Sequence, residues 1–382
     1  MKAKPLLKAL VLSGGEGTRM RPLTHTIPKQ LIPVANKPTI FYIMEQISSL
    51  GIKDVGVVIS PRTGELVKKS LGDGGRWHFN ITYILQDKPA GLAHAVWVAG
   101  DFLGNHPFLM FLGDNLVKPG FEEMLGTFAD GRCDAGVLIK PVSEPERFGV
   151  AIVDKHFNIL RLVEKPRDPA SNYALVGVYL FNENIHKAIR EITPSARGEL
   201  EITDAIQRLL ETGGNVTARV QEGWWFDTGC KEDLLEANSV LLDERCTRRI
   251  EGGVDDKSHV EGRVETGLGS SIYDSVVLGP VVLGEGVTVK NSHIGPYCSI
   301  GKNCTLEEVR VENSIILDDS VFGMVYLKES LVGRHCRIKG NSAIEAAVTL
   351  NLGDWSEIGP AVVSHRNTGL TKGGQRSGDT PS

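Results

Sequence analysis

LSGGEGTRMRPLTHTIPKQLIP, residues 12–33, is the stretch from which the fold of this chain is predicted. The apolar residues 9–12 that lead into it predict a buried strand, and the glycines that follow allow a sharp turn whose N–H groups can bind an anion. Arg19 and Lys29 supply two cations close behind this turn, which suits a triphosphate. A Walker loop is excluded because Gly-Lys-Ser/Thr is missing, and the dinucleotide fingerprint because no glycine stands three positions after Gly17.

The motif Gly-Gly-x-Gly-Thr-Arg at residues 14–19, followed by Pro-Lys-Gln at residues 28–30, resembles the opening signature of the sugar-1-phosphate nucleotidylyltransferases, in particular the glucose-1-phosphate thymidylyltransferases. Later matches extend the resemblance over most of residues 9–245. It implies that dTTP and glucose 1-phosphate are converted to dTDP-glucose and pyrophosphate. Within the signature, the residues that the resemblance assigns to the nucleotide are Leu12, Gly14, Gly15, Gly17, Thr18, Arg19, Lys29 and Gln30.

The composition of the chain excludes several classes of partner. Its 382 residues are enough for two domains. The formal net charge is −5 and no long block of basic residues occurs, which argues against nucleic acid and anionic membranes. No apolar run approaches the length of a membrane span.

The N-terminus and the cysteines bear on the compartment. Lysines before an apolar run could indicate a signal peptide, but Lys8 interrupts the run and a glycine turn follows, so a buried strand is predicted. The six cysteines form no Cys-x-x-Cys pair, and no histidine has a neighbour at metal-ligand spacing, which argues against zinc. Reduced thiols in a cytoplasmic protein are therefore expected.

Strand and helix patterns alternate from the first strand to about residue 245. Pro38 can begin a helix whose apolar residues recur at helical spacing until Gly51, and residues 55–59 predict the next buried strand. This βαβ pattern predicts an α/β, Rossmann-like domain: an open, mostly parallel sheet with helices on both faces and a ligand crevice at the carboxyl ends of its strands.

Gln86 and Gly91 are the candidates for base recognition. Gln86 ends a strand-like run, and its amide can both donate and accept, as the imide edge of thymine or uracil requires. Without context such a glutamine is usually a solvated polar residue. The segment resembles the base-recognition segment of the thymidylyltransferases, with Gly-Leu-Ala at residues 91–93.

Asp114 and Asp227 are the candidate metal ligands. Asp114 directly follows the apolar residues 107–112, and Asp227 follows Trp-Trp-Phe at residues 224–226. Singly, they would be better interpreted as a turn residue and a helix cap. Beside a triphosphate they suit magnesium (Mg2+), which prefers one or two carboxylates and phosphate oxygens, and the resemblance assigns both positions to it.

Glu164 and Lys165 are the candidates for the sugar phosphate. They follow the strand-like residues 159–163; a carboxylate accepts from sugar hydroxyls, and an ammonium holds a phosphate as a point charge. Charged pairs at strand ends are, without the resemblance, mostly solvated. The resemblance adds a set of sugar-phosphate contacts at Gly149, Val176, Tyr179 and Arg197.

Beyond a predicted helix at residues 231–245, aliphatic residues recur every six positions, the pattern of a hexapeptide β-helix. The phase shifts before Ile294 and is lost around residues 307–331, which indicates an imperfect or interrupted coil. Cys298, Cys304 and Cys336 share the fifth place of their hexapeptides, so a buried structural role is predicted for them. The predicted domains are a catalytic domain at residues 1–245, a left-handed parallel β-helix at residues 246–364, and a polar, glycine-rich, poorly ordered tail at residues 365–382.

The predicted mechanism is direct in-line displacement by the sugar phosphate, with these catalytic residues: Arg19, Lys29, Asp114, Lys165 and Asp227. Three alternatives stay open: a UTP-dependent uridylyltransferase, a non-catalytic nucleotide-sugar-binding regulatory subunit, and a two-headed enzyme with acyltransferase activity in the β-helix. All chemistry is assigned before residue 230, so the second domain is expected to assemble a homo-oligomer.

Overall fold

Strand β1, Lys8–Ser13, lies in the middle of a sheet that is covered on both faces. The structure, a computed structural model, describes residues 7–120, 122–129, 133–340 and 346–359. Ala9 and Val11 face one hydrophobic core, and Leu10 and Leu12 face a second core on the other side of the sheet. This continuous apolar run is typical of a strand buried on both faces.

The strands that follow β1 up to residue 245 are β2 Pro33–Val34, β3 Lys37–Pro38, β4 Asp54–Ile59, β5 Asn80–Leu85, β6 Phe108–Leu112, β7 Asn115–Val117, β8 Ala135–Pro141, β9 Gly149–Val153, β10 Ile159–Glu164, β11 Tyr173–Phe181, β12 Val216–Val220 and β13 Trp225–Asp227. The α-helices of the same region are α1 Thr39–Ser49, α2 Gly64–Leu71, α3 Leu92–Val98, α4 Gly100–Leu103, α5 Glu122–Ala129, α6 Asn184–Glu191, α7 Ile202–Glu211 and α8 Lys231–Arg245. The predicted helices after Pro38 and at residues 231–245 are confirmed by α1 and α8.

The sheet has the strand order β10-β9-β11-β6-β1-β4-β5, with β8 beside β11 and β12 beside β8. Strands β6, β1, β4 and β5 are parallel, as predicted. The other half departs from the mostly parallel prediction, because β11 is antiparallel to β6, β8 and β9. The carboxyl ends of β1, β5 and β6 lead into Gly14, Gln86 and Asp114, which places the predicted nucleotide residues at one edge.

The region after residue 245 is built from short strands. They are β14 Arg249–Ile250, β15 Gly253–Val254, β16 His259–Glu261, β17 Val264–Thr266, β18 Ser271–Tyr273, β19 Val276–Leu278, β20 Val281–Leu283, β21 Thr288–Lys290, β22 His293–Ile294, β23 Cys298–Ile300, β24 Thr305–Glu312, β25 Ile315–Ile316, β26 Val321–Lys328, β27 Leu331–Val332, β28 Arg337–Lys339, β29 Asn351–Leu352 and β30 Glu357–Ile358. The pairs that join these strands are parallel.

These strands are stacked in layers, and each strand pairs with the corresponding strand of the next layer. Val264 pairs with Val281 and Val281 with Cys298, a step of 17 residues, whereas Ile315 pairs with Leu331, a step of 16 residues. The hexapeptide pattern fades around residues 307–331 because β24 and β26 run as continuous eight-residue strands in which the short strands merge. The stacking itself continues through them.

The interior of these layers holds the three predicted cysteines. Cys298, Cys304 and Cys336 are fully buried among aliphatic side chains, as predicted, and all six cysteines of the chain are free thiols. Burial raises the pKa of Cys298 and of Cys304 to about 12, so these thiols are neutral at physiological pH.

The layered region packs against the first region under the loop that carries Arg19. Ile315, Leu317 and Leu331 belong to the same buried cluster as Met20 and Leu23 of this loop. Hydrogen bonds join the two regions as well: Asn238 accepts one from the Ser299 hydroxyl at 2.6 Å, and Asp354 accepts one from Thr26 at 2.8 Å. The layered region is therefore a support for the loop as well as a separate stack.

None of the helices in the described residues is long and apolar enough to cross a bilayer. Residues 365–382, for which a poorly ordered tail is predicted, lie outside the described residues, as do residues 360–364 of the predicted β-helix.

Candidate functional site

A cavity of about 240 Å³ opens at the carboxyl ends of β1, β5 and β6. It brings together a set of the predicted nucleotide residues, namely Leu12, Gly14, Gly15, Lys29, Gln30, Gln86, Gly91 and Asp114. Sequence reasoning missed further lining residues, namely Pro89, Leu92, Ala95, Leu112 and Glu199. Most of these missed residues are apolar: Leu92 and Ala95 lie on α3 and Leu112 ends β6, and an apolar side chain in such an element gives no signal that it lines a cavity.

The glycine turn closes one end of this cavity. Gly17 has φ +64°, the left-handed conformation that glycine tolerates best, and its carbonyl accepts a hydrogen bond of 2.6 Å from the Thr24 hydroxyl. Thr18 begins the short 3-10 turn Thr18–Met20, which carries Arg19 away from the nucleotide cavity. Gly17 and Thr18 thus shape the loop, but they are not among the residues that line the cavity.

Lys29 lies beside the glycine turn with its side chain 16% exposed, and it forms an ion pair with Asp114. Burial lowers the pKa of Lys29; Asp227 opposes this shift, and the nearby positive charges of Arg19 and Lys165 add to it. Three cations and two carboxylates therefore converge here. An anionic ligand such as a phosphate would relieve the repulsion among the cations.

A second cavity of about 450 Å³ adjoins the first and shares Asp114, Leu92 and Leu112 with it. The predicted residues that line it are Arg19, Asp114, Gly149, Glu164, Lys165, Tyr179 and Asp227. The lining residues that sequence reasoning missed are Asn115, Arg147, Phe148, Leu175, Ile202, Thr203 and Trp225. Several of them adjoin predicted residues in the chain, and this adjacency is the only sequence signal they carry.

Glu164 is held in place by a network that reaches to α7. Its carboxylate accepts a hydrogen bond of 3.0 Å from Arg197 and one of 3.1 Å from the Thr203 hydroxyl. Arg197 also donates to Glu201 at 2.8 Å, and the Glu201 side chain is only 4% exposed. Burial raises the pKa of Glu164, Glu201 raises it further, and Lys165 and Arg197 oppose the shift.

Arg197 thus contacts Glu164 and its acidic neighbours and is not among the residues that line the second cavity. Sequence reasoning did not identify Glu201, which pairs with Arg197 from the residue just before α7; residues 197–201 are not helical, so the four-residue spacing gave no signal for this ion pair.

Val176 is, besides Arg197, a predicted sugar-phosphate residue that is not among the residues lining the second cavity. Its side chain is fully buried in the core on the opposite face of β11, with Val178. Leu175 and Tyr179 line the cavity instead. Leu175 and Tyr179 belong to the core cluster on one face of β11, and Val176 and Val178 to the cluster on the other, so the Val176 side chain faces away from the cavity.

Asp114 and Asp227 are brought together by a small antiparallel ladder. Asp227 pairs with Asn115 between β13 and β7, and the carbonyl of Asp114 accepts a hydrogen bond of 2.6 Å from the Thr228 hydroxyl. Asp227 also lies 3.6 Å from Arg19. Among the described residues, no cluster of three or more His, Cys, Asp or Glu side chains could hold a metal. A site with two carboxylates therefore needs further oxygen ligands, such as those of phosphate or water.

Comparison with known proteins gives a consistent result for both regions. Residues 8–244 match the family model described as nucleotidyl transferase, and residues 277–372 match the one described as GMPPB C-terminal domain. A glucose-1-phosphate thymidylyltransferase of Streptomyces antibioticus is 45% identical over 354 residues, which cover 92% of this chain and 99% of the relative. A protein of the same name from Streptomyces griseus is 46% identical over 351 residues, covering 92% and 98%.

A solved structure extends the comparison to the fold. The structure of UDP-glucose pyrophosphorylase complexed with UDP-glucose is 26% identical in sequence and has a TM-score of 0.56. The similarity covers 62% of this chain and 99% of that chain.

Proposed function

This chain belongs to the nucleotidyl transferase family, as a glucose-1-phosphate thymidylyltransferase, and from that premise we propose how its crevice joins dTTP to glucose 1-phosphate. The products are dTDP-glucose and pyrophosphate. The observation that carries the proposal is the pair of adjoining cavities that share Asp114. The cavity with Lys29 and Gln86 takes dTTP, and the cavity with Glu164 and Lys165 takes the sugar phosphate.

The reaction is an in-line displacement at the α-phosphorus of dTTP. A phosphate oxygen of glucose 1-phosphate forms the new P–O bond, and the bond from the α-phosphorus to the oxygen that bridges to the β-phosphorus breaks. Because a sugar phosphate has a second pKa near 6, its oxygen is already anionic at pH 7 and needs no general base. The main obstacle is repulsion between anions.

The cations of the crevice act on this repulsion. Arg19 and Lys29 offset the charge of the triphosphate, and Lys165 aligns the attacking phosphate. Glu164 accepts hydrogen bonds from sugar hydroxyls, while Gly149 leaves room for the sugar: a Cβ atom added there would be 2.6 Å from Thr203 and 3.1 Å from the Glu164 carboxylate. No covalent enzyme intermediate is required.

Magnesium fits the donor set of this site. Asp114 and Asp227 present carboxylate oxygens to the same cavity, which suits a hard cation whose other ligands are phosphate oxygens and water. These two residues would hold the ion, and the bound ion would supply charge neutralisation at the triphosphate. Lys29 and Arg19, which now pair with the carboxylates, would then be available to the phosphates.

A uridylyltransferase is the second candidate. Its support is the similarity to the solved UDP-glucose pyrophosphorylase, together with the fact that thymine and uracil share the edge that Gln86 would read. The bases differ by one methyl group, which is worth only about 1–3 kcal/mol in a pocket. UTP is therefore expected to be a poorer but usable substrate.

Pyrophosphate release measured with dTTP, UTP, ATP and GTP, each with glucose 1-phosphate and with other sugar 1-phosphates, tests the proposal. The highest kcat/KM is expected for dTTP with glucose 1-phosphate. A preference for a purine nucleotide would contradict the role of Gln86, and a preference for UTP would favour the second candidate.

We further propose that the chain divides at residue 245, and that the layered strands form the predicted left-handed β-helix and assemble a homo-oligomer. Parallel strands repeated at steps of 16 to 20 residues support the β-helix. The first layer supports the oligomer, because among the described strands β14 and β15 pair only with the next layer, and they expose Ile250 and Val254. An uncovered edge with apolar side chains is a ready contact for a second copy.

A further inference from the structure

The side-chain amide of Gln86 is held in one orientation by two neighbours. Its Nε2 atom lies 3.2 Å from the carbonyl oxygen of Gly91 and 3.0 Å from Nδ1 of His94. A carbonyl oxygen can only accept, so the NH2 group, and not the oxygen, must face it. The same NH2 group can only donate, so Nδ1 of His94 must be the unprotonated, accepting nitrogen.

This arrangement leaves the oxygen of Gln86 for the nucleotide cavity. Oε1 lies beside Gly14, where an added Cβ atom would be 3.0 Å from it, and both Gln86 and Gly14 line that cavity. Gln86 is only 7% exposed, so a base that meets it meets a buried acceptor. The N3–H of thymine or uracil can donate to this oxygen. Cytosine carries a lone pair at N3 and would leave the oxygen unsatisfied, which is costly in a buried pocket.

We propose that His94 is a positioning residue that keeps the oxygen of Gln86 facing the base and so makes the pocket reject cytosine. The inference rests on the proposed function, in which Gln86 reads the base. It goes further by naming the atom that sets the hydrogen-bonding polarity of the pocket.

His94 is needed because the Gly91 carbonyl oxygen is shared between two hydrogen-bond donors. It also accepts a hydrogen bond of 3.2 Å from the backbone N–H of Ala95, which belongs to the first turn of α3. A flipped Gln86 would place its oxygen against the Gly91 carbonyl and against Nδ1 of His94. The shared carbonyl opposes this flip in either case, and in the native chain His94 opposes it as well while its ring proton is on Nε2.

The backbone fixes His94 relative to Gln86. Gly91 has φ +101°, and a Cβ atom there would be 2.3 Å from the carbonyl oxygen of Leu200, so the turn before α3 is seated directly on that backbone. The His94 ring also packs edge-on against Trp97, with 6.3 Å between ring centroids. The position of the accepting nitrogen thus follows from the start of the helix and from this ring contact.

The test compares His94→Phe, which keeps a ring but lacks an acceptor, with His94→Gln, which restores a carbonyl acceptor. For each, kcat/KM is measured with dTTP, UTP and dCTP, and dCTP is also measured as an inhibitor of dTTP turnover. His94→Phe is expected to lower the dTTP:dCTP ratio by about fivefold to tenfold, the loss typical of one hydrogen bond. The dTTP:UTP ratio should not change, because both bases carry N3–H.

His94→Gln should recover most of the lost discrimination. His186→Phe is the matched control: this half-buried histidine on α6 packs against Phe108 and makes no contact with Gln86 in the structure, so its nucleotide ratios should equal those of the native chain. Should His94→Phe fail to fold, His94→Leu removes the same acceptor.

Unchanged dTTP:dCTP discrimination in the acceptor-lacking variants would overturn the inference, as would failure of His94→Gln to exceed them. These results differ from failure of the proposed function, which would already show in the native chain as an absence of turnover with dTTP and UTP.

Discussion

Arg19 and Asp227 face each other at 3.6 Å in the second cavity, and both act in the proposed mechanism on charge that rearranges during displacement. Arg19→Ala and Asp227→Asn are each expected to lower kcat by roughly a hundredfold or more, as happens when an electrostatic stabiliser of a transition state is lost. Steady-state pyrophosphate release measures the effect. Circular dichroism should show an unchanged fold, and near-native turnover in either variant would contradict the mechanism.

Glu164 should make sugar binding depend on pH. Burial and Glu201 raise its pKa, so as pH falls this carboxylate is protonated earlier than an ordinary glutamate would be. KM for glucose 1-phosphate is therefore expected to rise as pH falls through that raised pKa, and to be lowest above it. Glu164→Gln removes the ionised acceptor and should raise KM at pH 8 by about tenfold or more.

Glu164→Gln is also the control for the substrate, because the phosphate of glucose 1-phosphate titrates identically with both proteins. The KM values of the native chain and of Glu164→Gln should converge at acid pH. A constant ratio between them across the pH range would contradict a role for the ionised carboxylate.

Single residues show where sequence reasoning succeeds and where it stops. The residues of the glycine turn, Gln86 and Asp114 could be predicted because they come after strands and carry a functional group or a backbone freedom, and Lys29 because it stands in the Pro-Lys-Gln motif. Leu175 could not be identified by residue type, since an aliphatic side chain reads as core whichever face it occupies. Residues 176 and 179, three positions apart, would lie on opposite faces of a regular strand, and in β11 Tyr179 lines the second cavity while Val176 lies in the core.

The start of α3 is a single element on which the proposed recognition of the base depends. Gly91→Ala places a Cβ atom 2.3 Å from the Leu200 carbonyl oxygen at a residue with φ +101°. A loss of roughly 1–3 kcal/mol in the free energy of unfolding is expected, with a higher KM for dTTP. Urea denaturation and nucleotide kinetics measure the two effects.

Gly100→Ala is the matched control for this element. Gly100 begins α4, has no atom within 4 Å of an added Cβ, and does not have a positive φ. The same substitution there should leave stability equal or slightly higher, because alanine has the better helix propensity. Equal losses at both positions would contradict the explanation by strain.

At the level of elements, local patterns predicted well where the strands and helices lie in the sequence, but they did not predict which strands pair with one another or in which direction. The apolar runs before Gly14 and Gly113 correspond to β1 and β6, and they pair in parallel. The antiparallel placement of β11 beside β6 and β8 has no local signal, because a strand buried on both faces has the same composition in either direction. Short strands merge into β24 and β26, and for this reason the six-residue repeat of aliphatic residues could not be recognised there.

The packing of the two regions gives a test at the scale of the molecule. Ile315 and Ile316 are adjacent in β25 and fully buried, but Ile315 lies in the cluster shared with Met20 and Leu23, whereas Ile316 lies in the core of the layered region itself. Truncation of either to alanine should cost about 2–5 kcal/mol in the free energy of unfolding.

Only Ile315→Ala is expected to reduce kcat as well, by about tenfold, because it loosens the support of the loop that carries Arg19. Assays at a temperature where both variants are folded separate stability from turnover. Equal kcat values for the two variants would show that the layered region does not position the loop.

The proposed oligomer gives the last test at this scale. Val254 is 39% exposed on β15 in the first layer. Val254→Lys should lower the mass measured by light scattering, since a charge at an exposed strand edge opposes pairing with a second copy. Tyr273→Lys, a change of a 46% exposed residue one layer further in, is the control and should leave the mass unchanged. The opposite pattern would place the contact between copies elsewhere.

The border that the two cavities share at Asp114 has a consequence for inhibition by the product. Asp114 borders both, so in the proposed mechanism the thymine end and the glucose end of dTDP-glucose occupy the spaces that the two substrates need. A retained product excludes each of them at once. We therefore expect accumulated dTDP-glucose to inhibit its own synthesis by competing with both substrates. The rate of synthesis then depends on how quickly the reaction that consumes dTDP-glucose removes it.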